Sequence, residues 1–148
     1  MTRQNLPRPC SGRLTVRILH IDDDLDYLAL TKHHLNREGH AVTSESNPRD
    51  ALPLLKGNGF AVVLCDYWMP ELTGPQVLTL ARVWGETTPF IFLTDQDINV
   101  VRREVCDSSI STHFVSKGCS PSFFSHLSAL VQGITKTNPS QLSAWLCY

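Results

Sequence analysis

Five short strand-like runs in this 148-residue chain each lead into a helical pattern, and no other feature narrows the fold so far. The runs are Leu14 to Ile21, Ala41 to Glu45, Phe60 to Asp66, Pro89 to Leu93 and Thr112 to Ser116. Strict strand–helix alternation implies a parallel sheet with helices on both faces, joined by right-handed crossovers. The third run is the most informative. Val62-Val63-Leu64-Cys65 enters Asp66 directly, as a strand buried on both faces does. Pro70 then blocks continuation, and Gly74 frees the backbone before the next helical pattern. Asp66 therefore falls at the carboxyl end of a central strand, where open α/β sheets place their ligand sites. An aspartate there also opens a turn well, and this stretch alone leaves both readings standing.

The intervening segments read as helices. Tyr27, Leu30, Thr31, His34 and Leu35 follow the i, i+3, i+4 spacing, and Gly39 is the natural stop. His34 on that inner face reads as a core histidine, not a ligand. Asn47-Pro48-Arg49-Asp50 starts a second helix, which reaches about Lys56 and is distorted by Pro53. Gly74 to Trp84 is the third helix, buried through Val77, Leu78 and Ala81, and Ile98 to Cys106 the weaker fourth. Ser120-Pro121 caps the fifth, whose stripe is Phe123, Phe124, Leu127, Leu130, Val131 and Ile134.

Size sets one domain, long enough to bury roughly 70% of its unfolded surface. Residues 14–135 form it, between a polar, two-proline arm (1–13), read as flexible, and a tail (136–148). With 13 basic and 14 acidic residues, the balance argues against a strong nonspecific nucleic-acid surface. Cys10, Cys65, Cys106, Cys119 and Cys147 show no C-x-x-C and are odd in number, which suits reduced thiols in the cytoplasm. The longest apolar run, Phe60 to Cys65, is far too short for a bilayer, and the N-terminus has no apolar leader.

In a parallel sheet all strand ends point one way. One edge then receives Asp22 and Asp23, Asp66, Thr94 and Lys117. Carboxylates gathered in one pocket repel one another unless a cation sits among them. All-oxygen ligands suit Mg²⁺, a lysine neutralises an incoming anion, and a hydroxyl donates to it. Together these make a phosphoryl-transfer kit with a carboxylate nucleophile. Asp22-x-Asp24-x-Asp26 is not a calcium loop, since Tyr27 and His33 stand where Gly and Glu are needed. An aspartyl phosphatase would need a second acid two residues after the nucleophile, and Trp68 is there instead.

On ILHIDDD (18–24), CDYWMPELTG (65–74), FLTD (92–95) and FVSK (114–117), the chain resembles the receiver domain of two-component response regulators. The match runs from about Leu14 to Thr135. The resemblance implies a flavodoxin-like, doubly wound α/β fold of five parallel strands, order 2-1-3-4-5, with five helices. It implies Asp66 as phosphoacceptor. Asp23, Asp66 and the Trp68 backbone carbonyl would hold Mg²⁺ (or Mn²⁺), with Asp22 acting through a bound water. Lys117 and Thr94 would contact the phosphoryl group, and Thr94 and Phe114 would form the switch pair. The expected protein is a stand-alone cytoplasmic phosphoprotein of a two-component phosphorelay and not an enzyme, beyond self-catalysed transfer and slow self-dephosphorylation. A histidine kinase or phosphotransfer protein would supply the phosphoryl group, and a downstream protein would read it. No nucleic acid or membrane is expected as partner, and a homodimer would use the face of helix 4, strand 5 and helix 5. The alternative keeps the fold as an interaction module acting mainly unphosphorylated. Three positions depart from the family: Asp95 replaces a small residue and should repel a phosphoryl group, Gly118 replaces a proline, and His20 replaces an aliphatic residue.

Overall fold

The computed structural model describes residues 15–105 and 112–136. The elements run β1 (Arg17–Ile21), α1 (Leu25–Arg37), β2 (Ala41–Glu45), α2 (Pro48–Leu55), β3 (Val62–Asp66), α3 (Gly74–Val83), β4 (Phe90–Thr94), α4 (Ile98–Glu104), β5 (Thr112–Ser116) and α5 (Pro121–Lys136). The strands form one sheet in the order β2-β1-β3-β4-β5, parallel at every pairing. This is the flavodoxin-like, doubly wound arrangement that the alternation implies.

Side chains alternate across each strand and build two cores. Leu19, Ile21, Val63, Cys65, Phe90 and Phe92 pack beneath α2, α3 and α4 through Leu52, Val77, Leu78 and Val101. Ile18, Val62, Leu64, Ile91 and Leu93 pack beneath α1 and α5 through Leu35, Phe124, Leu127 and Val131. Every residue of β3 and β4 is buried, because both strands are covered on both faces. His34 lies on the α1–α5 side, stacked on Phe124 with ring centroids 4.5 Å apart, and is half-buried where the sequence reading expected a core histidine.

Local signals explain the element ends. Asp24 caps α1 by accepting from the amides of Asp26 and Tyr27, and Gly39 follows with φ 93°, the left-handed conformation that favours glycine. Thr73 and Gln76 form a reciprocal capping box at the start of α3. Pro53 lies inside α2, and the last turn tightens, with the Lys56 amide donating to the Pro53 carbonyl at 3.2 Å.

The boundaries differ from the sequence reading in instructive ways. β1 begins at Arg17, with the expected start Leu14 outside the described residues, and β3 begins at Val62, not Phe60. Val16, Phe60 and Ala61 are buried all the same. Apolar character marks what the core covers, whereas the ladder marks what pairs. Thr94 belongs to β4, Pro89 does not, and the third helix ends at Val83 with Trp84 as its cap. The last helical residue of α4 is Glu104, and Cys106 lies outside the described residues. α5 reaches Lys136, one residue past the expected domain limit, and the arm and the rest of the tail also lie outside the described residues.

Candidate functional site

β1 ends at Ile21 and delivers Asp22 and Asp23, while Asp66 is the last residue of β3 beside it. The three acids can each place a carboxylate oxygen so that all lie within 4.8 Å of one another. Asp22 is fully buried, and one of its oxygens, Oδ1, accepts the Asp24 amide at 2.9 Å. The other, Oδ2, lies 2.8 Å from the Lys117 Nζ, which stands 3.6 Å from Asp66 Oδ2. Lys117 follows β5, and its amide donates to the Thr94 carbonyl at 2.8 Å, continuing the β4–β5 ladder to the strand end. One ammonium thus serves two carboxylates.

The charges are strained. Burial, then the neighbouring Asp22 charge, push the Asp66 carboxyl up to about 7, against the pull of Lys117. Burial also raises the Asp22 carboxyl, although Lys117 and the Asp24 amide oppose it. Burial alone would lower Lys117, but its contacts with Asp22 and Asp66 prevail and hold it above the ordinary lysine value. The donor set is all oxygen, over-supplied with negative charge and partly open, since Asp23 is exposed. That composition fits a hard divalent cation that keeps part of its water shell. At Trp68 the amide donates to the Asp66 carboxylate and the indole is half-exposed.

The other expected site residues divide. The Thr94 hydroxyl is buried at the strand end but accepts the Gln96 amide at 3.0 Å, within the β4–α4 turn. Phe114 is half-buried, its ring 5.6 Å from Phe92 and 5.8 Å from the Arg102 guanidinium carbon of α4. Asp95 is exposed and lines a cavity of about 260 Å³ with Asp24, Tyr27, Lys117, Gly118 and Cys119. The acids Asp22, Asp23 and Asp66 and the lysine form one cluster, and Asp95 shares a cavity with Lys117.

Two residues matter more than their spacing suggested. His20 is fully buried, makes no hydrogen bond through either ring nitrogen, and lies 3.9 Å from Asp22 Oδ2. Burial and the Lys117 charge lower it to about 3, so the imidazole is neutral. Tyr27 packs edge-on to His20, and its hydroxyl donates to the Gly118 carbonyl at 2.8 Å. A buried polar residue in an apolar strand was the available signal for His20. The spacing of α1 marks Tyr27 only as one residue of its inner stripe.

A parallel five-stranded sheet with this acidic edge and a lysine from its last strand defines a class, and the family model for the response regulator receiver domain matches residues 18–127. The chain belongs to that family, which serves two-component signalling. Among curated relatives, the transcriptional regulatory protein SrrA of Staphylococcus aureus is 34% identical over 98 residues, 66% of this chain and 40% of SrrA. The chain thus spans well under half of that relative's length. The receiver domain of Francisella response regulator 1452 superposes with a TM-score of 0.73 at 26% identity, covering 83% of this chain and 98% of that one. The chemotaxis response regulator CheY4 of Vibrio cholerae shares the fold, with a TM-score of 0.70 at 22% identity over 80% of this chain and 99% of that one. Among the described residues, no helix is long and apolar enough to cross a membrane.

Proposed function

We propose that this receiver domain accepts a phosphoryl group on Asp66 from a phosphohistidine of a histidine kinase or phosphotransfer protein, and passes the change to a protein partner. The observation that carries the reading is the placement of Asp66: buried at the strand end, crowded by Asp22 and contacted by Lys117. An Asp66 carboxylate oxygen attacks phosphorus, the P–N bond to the donor imidazole breaks, and its electron pair stays on the nitrogen, which takes a proton. Asp23, Asp66 and the Trp68 carbonyl would hold Mg²⁺ or Mn²⁺, with Asp22 acting through a water, and the ion would supply charge neutralisation for the anionic phosphoryl oxygens. Lys117 shifts from the two carboxylates onto one of those oxygens, and Thr94 exchanges the Gln96 amide for another.

The readout face is α4, β5 and α5. Phe114 supports this assignment, because its half-buried ring is near both Phe92 of the core and Arg102 of α4. Asp95 beside Lys117 weakens the hold on the dianion by like-charge repulsion.

The test is exposure to Mg²⁺ with phosphoramidate, read by intact mass, and to Mg²⁺ with beryllofluoride, read by amide NMR. Wild type should gain one phosphoryl group, and Asp66→Asn should gain none. Amide shifts at Thr94 and Phe114 should follow only in wild type. Equal responses from the two proteins would overturn the assignment of Asp66.

A further inference from the structure

We propose that Tyr27 is the positioning residue for Lys117: its ring face seats the ammonium while its hydroxyl fixes the adjoining Gly118 carbonyl. The inference rests on the reading of Lys117 as a phosphoryl-contact residue. Lys117 Nζ lies 4.5 Å from the Tyr27 ring centroid, within range of a cation–π attraction. The hydroxyl of the same side chain reaches the backbone one residue further on, at 2.8 Å. One residue therefore grips the lysine at its tip and at its root.

The ring is itself fixed. His20 meets it at 6.0 Å, nearly perpendicular, and Phe124 of α5 lies 6.4 Å away on a tilted plane. Burial raises the phenol far above its ordinary value, so it remains a neutral donor at any working pH. An external anchor is needed because the loop after β5 cannot stiffen itself at Gly118. A Cβ there would stand 2.7 Å from the Phe123 ring, so a side chain at 118 is excluded. Glycine leaves the backbone loose at the point where Lys117 must be aimed.

The ammonium has a neutral seat as well as its two carboxylates. As Lys117 leaves Asp22 for an incoming phosphoryl oxygen, the ring face keeps it oriented without competing as an anion would. Tyr27 thus limits how far the side chain wanders, which affects the rate of transfer and not the binding of the divalent cation.

The experiment uses the full chain as wild type, Tyr27→Phe and Tyr27→Leu. Phosphorylation by phosphoramidate at saturating Mg²⁺ should fall about tenfold in Tyr27→Leu and only about threefold in Tyr27→Phe, which keeps the ring. Calorimetric Mg²⁺ affinity should stay within about twofold of wild type in both variants. In ¹⁵N-lysine protein the Lys117 side-chain signal, assigned by its loss in Lys117→Arg, should be ring-shifted in wild type and Tyr27→Phe alone. An unchanged rate and signal in Tyr27→Leu would overturn the proposal. So would a loss of Mg²⁺ affinity in proportion to the rate, which would make Tyr27 a packing residue. If wild type accepts no phosphoryl group, the reading of Asp66 fails, and the lysine signal still decides where Tyr27 holds Lys117.

Discussion

Gly74→Ala should destabilise the protein by about 3 kcal/mol, the upper part of the range for forcing a methyl into a packed core. A Cβ at this position would stand 2.6 Å from the Asp66 carbonyl oxygen and 2.8 Å from the Phe92 ring. Neither neighbour can yield cheaply, since one is the backbone of β3 and the other a fully buried aromatic. The Gly74 amide also donates to the Tyr67 carbonyl at 2.9 Å, which ties the start of α3 to the strand end. A methyl there should lower the midpoint of thermal unfolding by roughly 10 °C for a domain of this size. Gly133→Ala is the matched control. Nothing lies within 4 Å of a Cβ there, and inside α5 alanine should add about 0.9 kcal/mol through helix propensity alone. If Gly74→Ala unfolds within a degree or two of wild type, the tight approach of α3 to β3 is wrong.

Asp66→Asn should make the metal-free protein more stable at pH 8, by about 2 kcal/mol. Burial and the Asp22 charge hold the folded carboxyl up at about 7, against about 3.9 for an ordinary aspartate in the unfolded chain. Below the lower value the proton is bound in both states and the group has no penalty. Between the two values the unfolded chain releases its proton first, so stability falls as pH rises. Above 7 the folded state carries the full cost of a confined anion. That difference sets a ceiling of about 4 kcal/mol, and solvent reaching the open side of the pocket reduces it to about half. Asparagine has the same shape and no charge, so its advantage should shrink from pH 8 to pH 5. Chemical denaturation with EDTA at both pH values measures this. Parallel pH profiles for the two proteins would mean that Asp66 is not confined. Added Mg²⁺ should reverse the order by stabilising wild type more, because the variant lacks a full carboxylate ligand.

The fold was largely legible because β3 and β4 are apolar throughout and punctuated at both ends. Val62 to Cys65 stops at Asp66, and Phe90 to Leu93 stops at Thr94. Strand starts were less legible, since Val16, Phe60 and Ala61 enter the core without belonging to a strand. The acids and Lys117 could be placed together from topology alone, as parallel strands bring their ends to one edge. Tyr27 could not, because its partner Gly118 lies 91 positions away and the contact depends on how α1 packs beside α5. His20 could be flagged as odd for a buried strand, but its lack of hydrogen bonds and its 3.9 Å approach to Asp22 are properties of the packed state.

The wholly parallel sheet has a consequence for the order in which the molecule forms. No two neighbouring strands can be joined by a hairpin, so each pairing must wait for a helix-bearing loop to close. The central pairing of Ile18 with Val62 waits for two such units, because β2 goes to the outside. Asp22 and Asp66 become neighbours when β3 docks on β1, but their counter-ion arrives only with β5 at the far edge. A chain with four strands in place holds two buried acids and no cation of its own between them. The strand at the far edge of the sheet is therefore also the one that brings a cation to these acids.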